Sequence, residues 1–235
     1  MKGTSIKKVL ILVTILAVPG FLYYLLQEQG KNRYKPLPFF GPKKVATTFH
    51  SVRGKQIPDT IYHQLGDFKL IDQAGDTVTN KHYDGKILVV NLFYTQGNTT
   101  SVDIANKAMQ SFEYTYRPNK KVNLISLSID PVYDTPARLK PYAEQLLAKP
   151  GKWDLLTGDS TQIYNLINKG LSVDAHHEII NGDKKFVYSN MFVLLDYKHR
   201  IRGYYEATSK EDLNKLDDEI KVLIIEELRN NNDGR

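Results

Sequence analysis

The chain has 235 residues, a net charge of +6, a hydrophobic fraction of 41% and a charged fraction of 25%, enough for one sizeable globular domain with appendages. It contains no cysteine, which excludes disulfides, thiol catalysis, iron–sulfur clusters and cysteine zinc sites together. Its 32 lysines and arginines are spread along the whole chain, so they read as solvated surface and not as a nucleic-acid footprint.

Residues 1–8 form a basic segment with Lys2, Lys7 and Lys8. The run 9–26 is then uncharged and mostly apolar over 18 residues, the length that just crosses a hydrocarbon core. Pro19 and Gly20 within it are tolerated in membrane helices, and Tyr23 and Tyr24 suit an interfacial aromatic belt. No small-x-small cleavage site follows the apolar core, so the run is expected to remain as a transmembrane anchor. Lys31, Arg33 and Lys35 flank its far side, which leaves the charge count for orientation nearly balanced. Residues 27–56 read as a proline-containing linker, in which X-Pro steps favour extended backbone. Its Lys35-Pro-Leu-Pro-Phe-Phe-Gly-Pro run is apolar enough to dock against something.

The globular domain is expected over 57–229, with a frayed tail at 230–235. Phe68 to Ile71 and Thr77 to Thr79 are expected to pair as a hairpin through Asp72-Gln-Ala-Gly75-Asp. Ile87 to Phe93 is a continuous apolar run rich in β-branched residues, the signature of a strand buried on both faces. After the polar loop Tyr94–Thr99, Thr100 and Asp103 form a T-x-x-D capping signal. Val102, Ala105, Ala108, Met109 and Phe112 then keep helical spacing. A second buried strand is expected at 122–129, ending at Asp130-Pro131. The helix 135–147 carries Pro136 in its first turn, where a missing amide costs nothing. Pro150-Gly151 breaks the chain before a short strand at 153–156, and an amphipathic helix follows at 161–169. Residues 170–185 read as a polar loop containing His176 and His177. A strand at 186–196 and its hairpin partner at 201–205 lead to a helix capped by Ser209 and Asp212, with an apolar stripe from Leu213 to Leu228. This order predicts an α/β fold, a thioredoxin-like mixed sheet sandwiched by helices.

In such folds the loop between the central strand and its helix holds redox or metal cysteines, because helix N-terminal amides stabilise thiolate. Here that loop has none. Asp130 and Asp134 pose as a carboxylate pair, but the plainer reading is that Asp130-Pro131 ends a strand and Asp134 or Thr135 caps the next helix. A hydrolase centred on Ser101 lacks a base, and no phosphate-loop motif is present. An anion at the Asn98–Thr100 helix start rests on a feature too common to be informative. Met109 and Met191 read as packing residues.

Several blocks in register resemble the SCO/SenC family. They are Gly66-Asp-Phe-Lys-Leu-Ile-Asp72-Gln-x-Gly75 and Ser128-Ile-Asp130-Pro131-x-x-Asp134-Thr135-Pro136 with Leu139 and Tyr142-Ala143. Trp153-x-x-Leu156-Thr157-Gly158, Phe192-Val-Leu-Leu-Asp196 and Ile201-Arg-Gly-Tyr204-Tyr205 continue the order. The resemblance covers residues 60–225 and implies a membrane-anchored ectodomain in the periplasm or an equivalent space. It also implies a role in copper delivery to, or thiol reduction at, cytochrome c oxidase. In the family, copper is held by two cysteines of a C-P-x-x-C-P loop and by a histidine before the last hairpin. Those ligand positions fall on Gly97, Ser101 and Tyr188, and the motif prolines on Asn98 and Val102. Cu(I) favours thiolate and thioether donors, and thiol–disulfide exchange needs sulfur, so neither chemistry carries over at these residues. The expectation is a non-enzymatic protein without a copper cofactor. Its partner would be a membrane respiratory protein or an oxidase assembly component. The alternative is copper binding at a displaced site made by His176 and His177.

Overall fold

The computed structural model describes residues 3–29, 36–52, 54–97, 100–181 and 183–232. The chain forms two compact units, Met1–Pro36 and Leu37–Arg235. The first holds α1 (Gly3–Gln29), a continuous helix with Pro19 inside it. Its large apolar side chains from Ile11 to Tyr24 are exposed, so the helix has no single apolar stripe. Among the described residues no helix is long and apolar enough to cross a membrane.

The second unit begins at Leu37, ahead of the start expected at residue 57. The Pro-Phe-Phe run does dock: Leu37 is buried, the Phe40 amide donates to the Ile201 carbonyl at 2.9 Å, and Phe40 meets the Tyr204 ring edge-on. Beyond it the stretch expected as linker carries an antiparallel hairpin, β1 (Lys43–Val52) with β2 (Lys55–Tyr62). Pro58 is compatible with β2 because both strands are sheet edges.

The strands β3 (Lys69–Ile71) and β4 (Thr77–Thr79) form the expected hairpin. They are followed by β5 (Ile87–Phe93), α2 (Thr100–Tyr116), β6 (Val122–Ser128), α3 (Pro136–Leu146) and β7 (Trp153–Leu156). Next come α4 (Ser160–Asn165), continued by a π-helical turn at Leu166–Leu171, then β8 (Ala175–Ile180) and β9 (Asp183–Tyr188). The strands β10 (Met191–Leu195) and β11 (Ile201–Glu206) and the helix α5 (Lys210–Asn232) complete the unit. The last three residues of the tail lie outside the described residues.

The central sheet runs β11-β10-β5-β6-β7, with β5–β6 and β6–β7 parallel and β10 antiparallel to both its neighbours. Every residue of β5 and β6 is buried, as their unbroken apolar runs predict. Ile87, Val89 and Phe93 face one core with Met109, Phe112, Leu139, Leu216 and Ile220, beneath α2, α3 and α5. Leu88, Val90 and Leu92 face the other core with Leu70, Val78, Ile163 and Ile167, beneath the β3–β4 hairpin and α4. The sheet is therefore covered on both faces. Ser209 caps α5 by accepting the Asp212 amide, as expected.

Both sheet edges are closed. Gln73 brackets β7, donating to the Trp153 carbonyl and accepting the Leu155 amide, each at 2.9 Å. At the β11 edge the wholly buried Arg202 donates to the carbonyls of Leu37 and Pro38 and pairs with Asp196 and Glu226.

Two expectations are corrected. The polar loop expected at 170–185 is largely the β8–β9 hairpin, so the strand expected from 186 is divided between β9 and β10. Asp134 does not cap α3. Its carboxylate is held elsewhere, and the cap residue Thr135 makes no side-chain cap bond.

Candidate functional site

Gly97, Ser101 and Tyr188, the residues expected at the ligand positions, lie in the loop after β5, in the first turn of α2 and at the end of β9. The loop after β5 turns back at Gly97, whose amide donates to the Tyr94 carbonyl at 3.0 Å. Residues 98–99 lie outside the described residues. Ser101 stands half-buried in the first turn of α2, and Val102 faces inward. Because α2 begins at Thr100, that residue is already inside the helix, and the cap itself falls outside the described residues.

Asp134 ties this loop to the end of β6. It has no exposed surface and accepts the Thr95 amide at 3.2 Å, the Thr95 hydroxyl, and the Ser128 hydroxyl at 2.6 Å. Burial pushes its carboxyl above the usual carboxylate range, although the bonds from Ser128 and Thr95 work against that rise. Asp130, just before it, accepts Lys184 Nζ of β9 at 2.8 Å. Asp130 and Asp134 are thus two separate fastenings, one for the β8–β9 hairpin and one for the β5–α2 loop, and not a carboxylate pair.

Tyr188, at the histidine position, ends β9 and lies half-buried. Its ring meets that of Tyr94 edge-on with centroids 6.1 Å apart, and Tyr94 also packs on Phe186 at 5.0 Å. A side chain begun at Gly97 would meet Tyr94 Cε1, the Tyr94 carbonyl and Val102 Cγ2, each at 3.1 Å. The Tyr94 ring therefore lies against both Gly97 and Tyr188. A side chain at Gly97 would need Tyr94 or Val102 to shift. The Tyr188 phenol is pushed up to about 12, first by burial and then by the neighbouring Tyr94 and Tyr142, so it keeps its proton at neutral pH.

More tyrosines gather here. Tyr142 stacks on Phe93 at 5.6 Å and accepts from Asn106 Nδ2 at 2.9 Å, while the Tyr164 hydroxyl donates to the Ile129 carbonyl at 2.7 Å. Burial raises both phenols. Part of the chain's tyrosine content thus has a structural role, as an apolar filling with polar tips that find partners.

The donor set does not fit copper. Glycine supplies no side-chain donor, serine supplies a hydroxyl, and a phenol that holds its proton is not a ligand. His176 and His177 are successive residues of β8, opposite Val187 and Phe186, so they point to opposite faces of the hairpin. His176 lies 3.6 Å from Glu178. His177 lies against Tyr164 and Phe186, with centroids 6.0 and 6.2 Å away. The fold does not bring them together. Among the described residues no group of three or more His, Cys, Asp or Glu side chains is placed to hold a metal ion. Met109 is buried in the core, as its helical spacing predicts, and Met191 lies partly buried on β10.

The Asp134 and Asp130–Lys184 fastenings were not read from the sequence. The hairpin that carries Lys184 does leave a signal: Asn181-Gly182 separates β8 from β9 by two residues, the dipeptide that favours a tight hairpin turn.

Comparison with known proteins completes this description. The SCO1/SenC family profile matches residues 59–223. A SCO1 protein homologue of Bacillus subtilis is 22% identical over 169 residues, covering 72% of this chain and 86% of the relative. A SCO2-like protein of Rickettsia typhi is 25% identical over 221 residues, covering 92% and 99%. Among solved structures, a SCO1/SenC family lipoprotein from Bacillus anthracis superposes with a TM-score of 0.61 at 21% identity, over 69% of this chain and 95% of the other. The copper-bound ScoI of Bradyrhizobium japonicum gives 0.52 at 25% identity, over 67% and 98%.

Proposed function

The chain belongs to the SCO1/SenC family, and from that premise we propose that it is a membrane-anchored member that works through protein contacts in respiratory oxidase assembly or organisation, without the family's copper and thiol chemistry. The observation that carries this reading is the Tyr94 ring lodged against both Gly97 and Tyr188, in a chain with no cysteine. A similar solved structure, BsSco, is a member of the Sco family of cytochrome c oxidase assembly proteins, which supports the choice of partner class.

The anchor of this reading is the uncharged run 9–26, inside a helix whose apolar side chains are exposed. The family domain over 57–229 then faces the periplasm or an equivalent space. The protein is not an enzyme in this account, which is supported by the lack, among the described residues, of a base beside the Ser101 hydroxyl or a metal-ligand cluster.

The test is purification of the tagged full-length chain from gently solubilised membranes. A respiratory oxidase component or an assembly factor should co-purify at a fixed ratio. Recovery of the chain without any respiratory component contradicts the proposal.

A further inference from the structure

The β1–β2 hairpin is absent from the site just described, and its surface is unusual. Among the described residues its two strands pair only with each other. Val45 is 76% exposed and Phe49 60%, and Val52, Ile57 and Ile61 are also exposed. The register puts these side chains on both faces. Val45 and Phe49 share one face with Thr60 and Pro58, while Val52, Ile57 and Ile61 share the other with Lys55, His50 and Lys44. The hairpin sequence carries Lys43, Lys44, Arg53 and Lys55 against Asp59 as its one acid.

A protein partner covers one face of a hairpin and leaves the other to water. Apolar side chains on both faces, interleaved with excess positive charge, suit an environment that surrounds the hairpin. The interfacial zone of an anionic bilayer is such an environment. Unpaired strand edges forbid deeper entry, because edge amides and carbonyls need water or headgroups as partners. The chain length agrees. Seven residues, 30–36, separate the end of α1 at Gln29 from the docked Leu37, and they span about 25 Å at most. We propose that the β1–β2 hairpin rests in the headgroup layer of an anionic membrane, with Phe49 and Val45 among its inserted side chains and its lysines on lipid phosphates. This inference rests on the proposed anchoring of α1.

The absence of cysteine makes the test direct. Single cysteines introduced by F49C in β1 and by A17C in α1 carry a nitroxide in the full-length chain, reconstituted into vesicles. One set is phosphatidylcholine alone and the other contains one-third phosphatidylglycerol. Accessibility to oxygen and to a water-soluble nickel chelate then reports the depth of each label. The expected result is a label at 17 in the hydrocarbon core of both vesicles. The label at 49 should move from water to headgroup depth when phosphatidylglycerol is present. Lys43→Gln with Lys44→Gln should lower its docked-to-undocked ratio about 30-fold, since each basic residue near such a surface contributes roughly fivefold. A label at 17 in the core with a label at 49 in water in both vesicles overturns the hairpin proposal and leaves the anchor standing. A label at 17 in water overturns both. Shielding at 49 that follows protein density and not lipid charge makes a second copy of the chain the occupant, which also overturns the proposal.

Discussion

Replacing Lys184 with alanine should loosen the β8–β9 hairpin without touching the sheet beneath it. Lys184 Nζ lies 2.8 Å from Asp130 Oδ1, with the side chains 36% and 9% exposed. An exposed ion pair contributes up to about 1 kcal/mol, and a hydrogen bond to a nearly buried charge about 1.5–3 kcal/mol. A pair covered on one side falls between these, at about 1–2 kcal/mol. The Lys184 ammonium also stands 4.8 Å from the Phe186 ring centre, which adds about 0.5 kcal/mol. The other fastenings, Tyr94 against Phe186 and Tyr188, His177 against Tyr164, and Asn168 on the Ala175 backbone, are left intact. A loss of about 1.5–2.5 kcal/mol in local stability raises amide exchange by about 10- to 70-fold. Hydrogen exchange followed by mass spectrometry should show that increase in peptides covering 175–188, with peptides of β5 and β6 unchanged. Lys184→Arg keeps the charge and should keep most of the protection. Unaltered exchange at 175–188, or an equal increase in β5, would refute the reasoning. The point bears on function, because the hairpin reaches the β5–α2 loop through the Tyr94, Phe186 and Tyr188 side chains.

Other perturbations have equally definite outcomes. Arg202→Met removes a fully buried guanidinium that serves Asp196, Glu226 and the carbonyls of Leu37 and Pro38. It should cost about 3–5 kcal/mol in urea unfolding and open residues 37–40 to proteolysis. Gly97→Ala places a methyl group 3.1 Å from three atoms and should lower Tm by about 2–4 °C for each ~1 kcal/mol of overpacking, as read by calorimetry. Asp134 has a raised folded pKa, so its contribution to stability is full below the ordinary carboxylate value of 3.8 and is lost as pH rises through the folded value. Asp134→Asn should therefore gain in Tm relative to the parent as pH rises from about 4 to neutrality, and a difference that stays flat contradicts the assignment.

The buried strands were legible because their chemistry is local. Ile87–Phe93 and Trp153–Leu156 have the bounds their apolar runs indicate, and Pro136 opens α3 as its fixed backbone angle requires. The two peripheral hairpins were not read. Their strands bury little, so no alternation of apolar and polar residues marks them. Pro36, Pro38 and Pro42 also suggested a linker. For the second hairpin the Asn181-Gly182 dipeptide was the available sequence signal. At the site, the sequence pointed to Gly97, Ser101 and Tyr188, but what packs between them could not be read from it. That depends on Tyr94 meeting Tyr188 across 94 residues of chain. The role of Asp134 likewise depends on contact with Thr95, 39 residues earlier.

The account stands or falls on whether the filled site takes copper. Full-length protein in mild detergent, titrated with Cu(I) and with Cu(II) against a competing chelator, answers this directly. No complex beyond nonspecific uptake is expected, and the variant carrying both His176→Ala and His177→Ala should give the same isotherm as the parent. A tight one-to-one copper complex would contradict the account, and its loss in the histidine variant would identify the ligands.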